Sequence, residues 1–419
     1  MKVVHLNTSD FGGAAMAAIQ VHSALLEMGL DSDLLTLNKT RNDIPHHTQV
    51  KPFELGGSLI GTTLRYKTRR LLERVGAVDD RSPGPDNRDL RDRPSGFEIF
   101  SVPYSWFSIL DHPLVQQADV IHLHWVSFGM IDYRDFFGKS TKKVIWTMHD
   151  MNPFTGGCHH ADDSTGYLRS CEVCPQLRDE RKAHDYWDYK RNALAHFAAD
   201  RLQLVAPSRW LADRAEASSI MHGRTCAVVP NGFDTTHFRA MDRAQARKQL
   251  DIPDGVKVVL FNAMDVTNPR KGMQLLEPAL SGMERKDVLL IGVGGGSGTV
   301  KEGPLFRRTG YLTSAEDIAR YYAAADVFVL PSLAENLPNT ISESLLCGTP
   351  VVAFNTGGIP EQVDGTNGIL VQRKEIPALR SAIEQALSTN WDHASIASKA
   401  AQRFDRRLTA AAYEKLYTT

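Results

Sequence analysis

The densest run of chemistry-bearing residues is Pro331-Ser332-Leu333-Ala334-Glu335-Asn336-Leu337-Pro338-Asn339-Thr340-Ile341-Ser342-Glu343-Ser344-Leu345-Leu346-Cys347-Gly348-Thr349-Pro350. An apolar run ending at Leu330 reads as a buried strand, and a loop follows it. A helix comes next, with Pro338 near its first turn, where a missing N–H costs nothing. Gly348 ends the helix and Pro350 enforces the stop. Ile341, Leu345 and Leu346 face a core, while Asn339 and Glu343, four apart, share the other face. A helix N-terminus at the carboxyl end of a parallel strand is an anion site, because its N–H groups point outward and its dipole favours negative charge. A nucleoside diphosphate fits it. Glu343, one turn inside, can accept hydrogen bonds from a ribose diol; Glu335, ahead of the helix, can accept them from sugar hydroxyls. These residues alone leave an alternative open, in which both carboxylates are surface complements to the helix dipole.

Two further clusters carry chemistry. Gly292-Val293-Gly294-Gly295-Gly296-Ser297-Gly298 is rich enough in glycine to approach a phosphate. It lacks the Gly-Lys-Ser/Thr ending of a P-loop and the spacing of the dinucleotide fingerprint, so it reads as a flexible loop at the edge of a binding cleft. Cys158, His159, His160, Cys171 and Cys174 form the second cluster. The pair Cys171-x-x-Cys174 with an upstream Cys158-His159 has structural-zinc spacing. The alternative is a set of reduced thiols packed in a loop.

These residues must be positioned by alternating strands and helices. Candidate strands in the first half are 3–6, 33–37, 120–124, 143–148 and 203–206; in the second half they are 258–262, 288–291, 326–330, 350–353 and 369–371. Continuous apolar runs such as Val327-Phe328-Val329-Leu330 suit strands buried on both faces of a parallel sheet. Amphipathic stretches at 14–27 and 315–325 lie between them. The rhythm occurs twice, so the fold class is α/β, with two doubly wound, Rossmann-like parallel-sheet domains facing a cleft. The N-terminal domain is placed at 1–234, with an Arg-, Pro- and Gly-rich insertion at about 51–101 holding one helix (58–75) and a charged loop (79–94). The second domain is placed at 235–395. A C-terminal helix at 396–419 is expected to pack back toward the first domain, with Ala397, Ala400, Phe404 and Leu408 at helical spacing.

Composition narrows the class. A chain of 419 residues suits two domains of roughly 150–200 residues each. The formal net charge of -1 lacks the basic excess of a nucleic-acid binder, so no nucleic-acid partner is expected. No apolar run approaches the roughly 20 residues that span a bilayer. Met1–Asn7 reads as a first strand rather than a signal peptide, which leads to an expected cytoplasmic location. One basic run, Arg65-Tyr66-Lys67-Thr68-Arg69-Arg70 with Arg74, reads as a solvated helix face or as a contact with anionic lipid headgroups.

Glu335, seven residues, then Glu343, followed by Cys347-Gly348-Thr349-Pro350-Val351-Val352, resembles the donor-site motif of the family 4 glycosyltransferases, which have the GT-B fold. The order of the whole chain is similar too. Gly12-Gly13 resembles that family's N-terminal glycine loop, and His149-Asp150 its active-site histidine. Val228–Asp234 resembles its interdomain segment, Arg270-Lys271-Gly272 its phosphate-binding lysine, and Gly357–Glu361 a further donor-side turn. Ile121–Trp125 and Thr155–His159 resemble the branch that assembles bacterial exopolysaccharide and O-antigen.

The resemblance implies a retaining, hexosyltransferase-type enzyme that moves a sugar from a nucleotide-diphosphate donor, UDP- or GDP-linked, to a hydroxyl of a glycan or lipid-linked oligosaccharide. It implies no required cofactor and, with a lipid-linked acceptor, peripheral association with the inner membrane face. His149, Lys271 and Glu335 are then the catalytic set. Gly12, Gly13, Arg270, Asn336, Leu337, Pro338, Asn339, Glu343, Tyr311 and Leu312 bind the donor. Gly12 and Gly13 let backbone approach the ligand, Lys271 stabilises the leaving diphosphate, and Gly310-Tyr311-Leu312 is a nucleobase platform. The family's arginine about five residues before the lysine is replaced by Val266, leaving Arg270 or Asn268 to stand in. Asp150 either orients His149 or caps the next loop; Ser208-Arg209 is either a cap with a surface charge or an acceptor grip. Two other functions suit the same fold: a nucleotide-sugar epimerase, which needs no acceptor, and a non-catalytic sugar-binding protein, which would not keep Lys271, Glu335 and Glu343.

Overall fold

A computed structural model describes residues 1–52, 54–55, 90, 93–296 and 306–419. The expected helix at 58–75, the basic run at 65–74 and nearly all of the charged loop at 79–94 lie outside these residues. The chain forms two units. The first comprises Met1–Val229 with Ala410–Thr419, the second Pro230–Thr409.

The first unit is built on seven strands: β1 (Lys2–Ser9), β2 (Asp31–Asn38), β3 (His47–Gln49), β4 (Val120–Leu123), β5 (Lys143–Thr147), β6 (Leu202–Ala206) and β7 (Cys226–Val228). All neighbours pair in parallel, in the order β3-β2-β1-β4-β5-β6-β7. The short strands β3 and β7 were not anticipated. Each strand alternates its side chains between two covered faces. One face buries Val4, Leu6, Ile121, Leu123, Val144 and Trp146 in the main core. The other buries Val3, Val120, Ile145 and Val205 against Ala410, Tyr413 and Tyr417 of the last helix. This second face also carries His5, His122 and Thr147, all essentially inaccessible to solvent. Polar side chains thus stand where the period-two pattern calls for aliphatic ones.

The second unit holds β8 (Lys257–Asp265), β9 (Val288–Gly295), β10 (Phe306–Gly310), β11 (Val327–Leu330), β12 (Val351–Phe354) and β13 (Gly368–Val371). Their order is β10-β9-β8-β11-β12-β13, again parallel. Val258, Leu260, Phe328 and Leu330 enter one core, and Val259, Phe261, Val327 and Val329 the other, which is why these strands read as unbroken apolar runs. In both sheets the order reverses once, between β1 and β4 and between β8 and β11. The crevice outside the carboxyl ends at such a reversal is where doubly wound sheets bind ligands.

Two expectations are corrected. Gly292–Gly295 is not a loop; it is the end of β9, paired to β8. A Cβ on Gly294, at φ 135°, would lie 1.7 Å from the carbonyl oxygen of Ala263, so glycine there serves close strand packing. The C-terminal segment is two helices, His393–Phe404 and Arg406–Thr418, broken at Asp405, whose ψ of 129° is extended. Leu408 falls after the break and is 52% exposed.

Candidate functional site

In the second unit the loops after β8, β11 and β12 meet at the carboxyl ends of three neighbouring strands. The Leu333 N–H donates to the Arg270 carbonyl at 2.7 Å, and the Gly358 N–H to the Asn336 carbonyl at 2.7 Å. Gly272 has φ 85°, and a Cβ there would stand 2.0 Å from the carbonyl oxygen of Pro331. Gly357, at φ 60°, would similarly meet the Glu335 carbonyl oxygen at 1.7 Å. Both glycines allow loop to press on loop, so these backbones hold one another in place.

Within this junction Lys271 Nζ donates to Glu335 Oε1 at 2.6 Å, and Arg270 Nη1 donates to the same oxygen at 3.0 Å. Arg270 Nη1 also donates to the Ala334 carbonyl at 2.8 Å. Glu335 is only 7% exposed. A surface role as a dipole complement is therefore excluded for it. Two cations on one carboxylate leave the cluster net positive, in a setting where desolvation strengthens charge interactions. Val266 is buried in the core and carries no clamp. Asn268 accepts the Arg270 N–H at 2.8 Å and caps the short turn. Of the two replacements considered for the displaced arginine, Arg270 is thus the one beside Lys271.

Pro338 precedes the helix Asn339–Leu346, which has no side-chain cap and no acidic residue in its first turn. Asn339 Oδ1 accepts from Asn231 Nδ2 at 2.9 Å. Asn336 and Leu337 are buried beside Glu335. Glu343 lies one turn in, where its Oε2 accepts from the Tyr322 hydroxyl at 3.0 Å. That hydroxyl in turn accepts from Asn262 Nδ2 at 2.9 Å. Burial pushes the Glu343 carboxyl up to about 7, with the Tyr322 hydrogen bond opposing it. Glu343 is thus a partly buried group, tied by Tyr322 to Asn262 on β8, in surroundings that disfavour its charge. Tyr311 and Leu312 follow β10, at the far side of the sheet. Tyr311 is 57% exposed and Leu312 packs on the core.

In the first unit the loops after β1, β4 and β5 meet in the same way. Gly12 takes φ 89° at the start of the helix Gly13–Glu27, a conformation reserved for glycine. The Trp125 N–H donates to Asn7 Oδ1 at 2.8 Å. His149 follows β5, and its Nε2 lies 3.2 Å from His124 Nδ1. Asp150 does not orient His149. Its Oδ1 caps the Asn152 N–H at 2.9 Å, and its Oδ2 receives Trp125 Nε1 at 2.8 Å and faces His159 Nδ1 at 2.6 Å. These partners hold its carboxyl down to about 2 against the opposing effect of burial. Ser208 caps the helix Arg209–Ala217 through the Leu211 N–H at 3.1 Å, and Arg209 is exposed beside Asp213. The cap reading therefore holds for Ser208.

His159 does not join the cysteines. Its Nε2 contacts Ser101 Oγ at 2.7 Å and its Nδ1 contacts Asp150, so both ring nitrogens are committed. The free thiols of Cys158, Cys171 and Cys174 line one cavity with Phe100, Gly157 and Tyr167. Burial pushes Cys158 up to about 12 and Cys171 up to about 11. The fully buried Lys190 donates to the Asn152 carbonyl at 2.6 Å, and burial brings it down to about 7. Among the described residues, the group of metal-type ligands gathered within 4.8 Å is instead His5, His122 and His124.

His5, His124, Tyr322 and Asn262 were missed as site residues. For His5 and Asn262 the signal is a polar residue two positions from a buried aliphatic one on the same strand face, Val3 and Leu260 respectively; Tyr322, on a helix, carries no such mark.

The family described as Glycosyltransferase Family 4 matches residues 11–237, and Glycosyl transferases group 1 matches residues 256–389. A D-inositol 3-phosphate glycosyltransferase of Geodermatophilus obscurus is 30% identical over 403 residues, covering 90% of this chain and 78% of that protein. The putative colanic acid biosynthesis glycosyl transferase WcaC of Escherichia coli is 25% identical over 299 residues, covering 69% of this chain and 70% of its own. Among solved structures, HepE of Anabaena in complex with UDP-glucose shares the fold with a TM-score of 0.65 at 19% identity, covering 100% of both chains. Sucrose-phosphate synthase of Thermosynechococcus elongatus gives 0.65 at 20% identity, covering 100% of this chain and 98% of its own. Two parallel α/β sheets of the GT-B type and a family match over more than half the sequence lead to one conclusion: the chain belongs to glycosyltransferase family 4 and is a glycosyltransferase.

Proposed function

We propose that the chain transfers a sugar, with retention of anomeric configuration, from a nucleoside-diphosphate donor to a hydroxyl of a glycan or lipid-linked oligosaccharide in surface polysaccharide synthesis. The observation that carries this reading is the meeting of Lys271 and Arg270 on Glu335 where the loops after β8 and β11 join, with Glu343 in the helix that follows. Lys271 and Arg270 supply the charge that a departing diphosphate needs. Glu343 offers acceptor oxygens for a ribose diol, and Glu335 for sugar hydroxyls. The anomeric carbon loses diphosphate while the acceptor oxygen attacks from the same face, and the leaving phosphate takes the acceptor proton. No pair of carboxylates is assigned to acid–base work, unlike a glycoside hydrolase. UDP in the HepE complex and colanic acid in the name of WcaC support the donor class and the pathway class.

The chemistry so read needs no cofactor. Zinc, if bound, would use Cys158, Cys171 and Cys174 without His159; metal analysis of the purified protein tests this, and one equivalent per chain that is lost on replacing Cys171 and Cys174 supports it. The donor assignment is tested by thermal-shift titration with UDP and GDP, followed by analysis of the product's anomeric configuration. An inverted product, or no stabilisation by any nucleoside diphosphate, overturns it.

A further inference from the structure

His5, His124 and His149 form a continuous chain on one face of the first unit's sheet. His5 Nδ1 lies 3.0 Å from His124 Nε2, and His124 Nδ1 lies 3.2 Å from His149 Nε2. The rings of His124 and His149 stack at 5.5 Å, and those of His5 and His124 at 5.3 Å. Register explains the alignment: His5 on β1 pairs with His122 on β4, His124 follows the end of β4, and His149 follows the end of the neighbouring β5. His122 stacks on His124 at 4.0 Å but stands outside the chain, with its nitrogens on Tyr417 Oη and Thr147 Oγ1. His22 meets His5 edge-on at 5.8 Å. Burial depresses all three chain members, so all are neutral.

A neutral imidazole carries one N–H and one lone pair. Three rings joined by two hydrogen bonds therefore permit two arrangements, one the reverse of the other. The far end decides between them. His5 Nε2 is buried and has no hydrogen-bond partner among the described residues. In one arrangement that atom is an orphaned N–H; in the other it is an unprotonated nitrogen. A buried donor left unmade is the costlier state, and orphaned buried N–H groups are the rarer exception. The arrangement with bare Nε2 at His5 makes His5 Nδ1–H donate to His124, and His124 Nδ1–H donate to His149.

We propose that His5 and His124 are positioning residues that fix the tautomer of His149, leaving its Nε2 bare and its Nδ1 protonated. His149 is then held as a hydrogen-bond donor through Nδ1, rather than as a base. Donation to an oxygen of the donor sugar rests on the transferase reading above; the tautomer itself does not.

The test is 15N nuclear magnetic resonance of histidine-labelled full-length protein at pH 7.5, since two-bond proton–nitrogen correlations distinguish a protonated nitrogen from a bare one. The signals of His149 are identified by their loss in His149→Gln. The expected result is bare Nε2 and protonated Nδ1 on His149 in the wild type. His124→Phe should release the constraint and raise the Nε2–H form. His124→Asn, whose amide N–H can replace the donating Nδ1–H, should restore the wild-type pattern. Transfer assays should show kcat about tenfold lower in His124→Phe, with KM little changed, and recovery in His124→Asn. Protonated Nε2 on His149 in the wild type overturns the proposal, whether or not the variants fold. Correct tautomers with no transfer activity would instead tell against the transferase reading.

Discussion

Lys271 Nζ and Glu335 Oε1 lie 2.6 Å apart, in a junction where Glu335 is 7% exposed. The carboxylate therefore competes with any incoming phosphate for the same ammonium. Replacing it should separate two properties that usually fall together. Glu335→Gln is expected to bind free nucleoside diphosphate several-fold more tightly, because an opposing charge is gone. It should also lose about 100-fold in kcat/KM for the sugar-linked donor, because the sugar contact proposed for Glu335 is gone. Calorimetry with the free diphosphate and initial rates with the sugar nucleotide check the two halves. Weaker diphosphate binding would show that Glu335 orders Lys271 rather than opposing the anion.

Glu343 sits near 7 because burial disfavours its charge. Its ionised form is the one that accepts hydrogen bonds from a diol. Nucleotide affinity should thus fall as pH drops from 8 to 6, and Glu343→Gln should flatten that dependence. Tyr322→Phe removes the hydroxyl that steadies the carboxylate at 3.0 Å, so the transition should move to higher pH. Dissociation constants across this range for the three proteins provide the check.

The buried histidines predict an acid-labile first unit. Burial holds His5, His122 and His124 well below the ordinary value, and holds His149 and His47 at about 4. The unfolded chain binds protons at these groups below about pH 6.5, while the folded chain resists them. Their contribution is complete above that pH and is lost as pH falls toward 4. Each group contributes up to about 1.4 kcal/mol per pH unit in that window. Urea midpoints read by tryptophan emission should drop steeply between pH 7 and pH 5. Five of the six tryptophans lie before residue 230, so the signal reports this unit. A flat profile would mean that these rings are solvated.

The last helix is tied to the first unit's sheet through Tyr417 Oη on His122 at 2.7 Å and Tyr413 Oη on Thr147 at 2.7 Å. Tyr417→Phe leaves a buried imidazole nitrogen without its partner. The expected cost is about 1–3 kcal/mol, seen as a lower Tm. An unchanged Tm would mean that the pair is not formed in solution.

Much of this was legible in the sequence. Strands such as Val327–Leu330 are apolar on both faces, and a doubly covered parallel sheet accommodates that. The Glu335–Glu343 loop and helix announced itself by Pro338, Gly348 and Pro350. What the sequence hid is contact between distant positions. Nothing near residue 270 says that Arg270 and Lys271 share one oxygen of Glu335, or that Asp150 turns to Trp125 and His159 instead of His149. The glycines at 292–295 read as a loop in the sequence because a strand that needs close backbone approach and a flexible loop ask for the same residue. The break at Asp405 was missed because one helical period continues across it.

Isothermal titration of the preferred nucleoside diphosphate into wild type, Lys271→Ala and Glu343→Ala tests most directly the proposal that Lys271 holds the donor diphosphate and Glu343 the ribose. Each substitution should weaken binding about tenfold or more, with the far-ultraviolet circular dichroism unchanged. Wild-type affinity in both folded variants would contradict it.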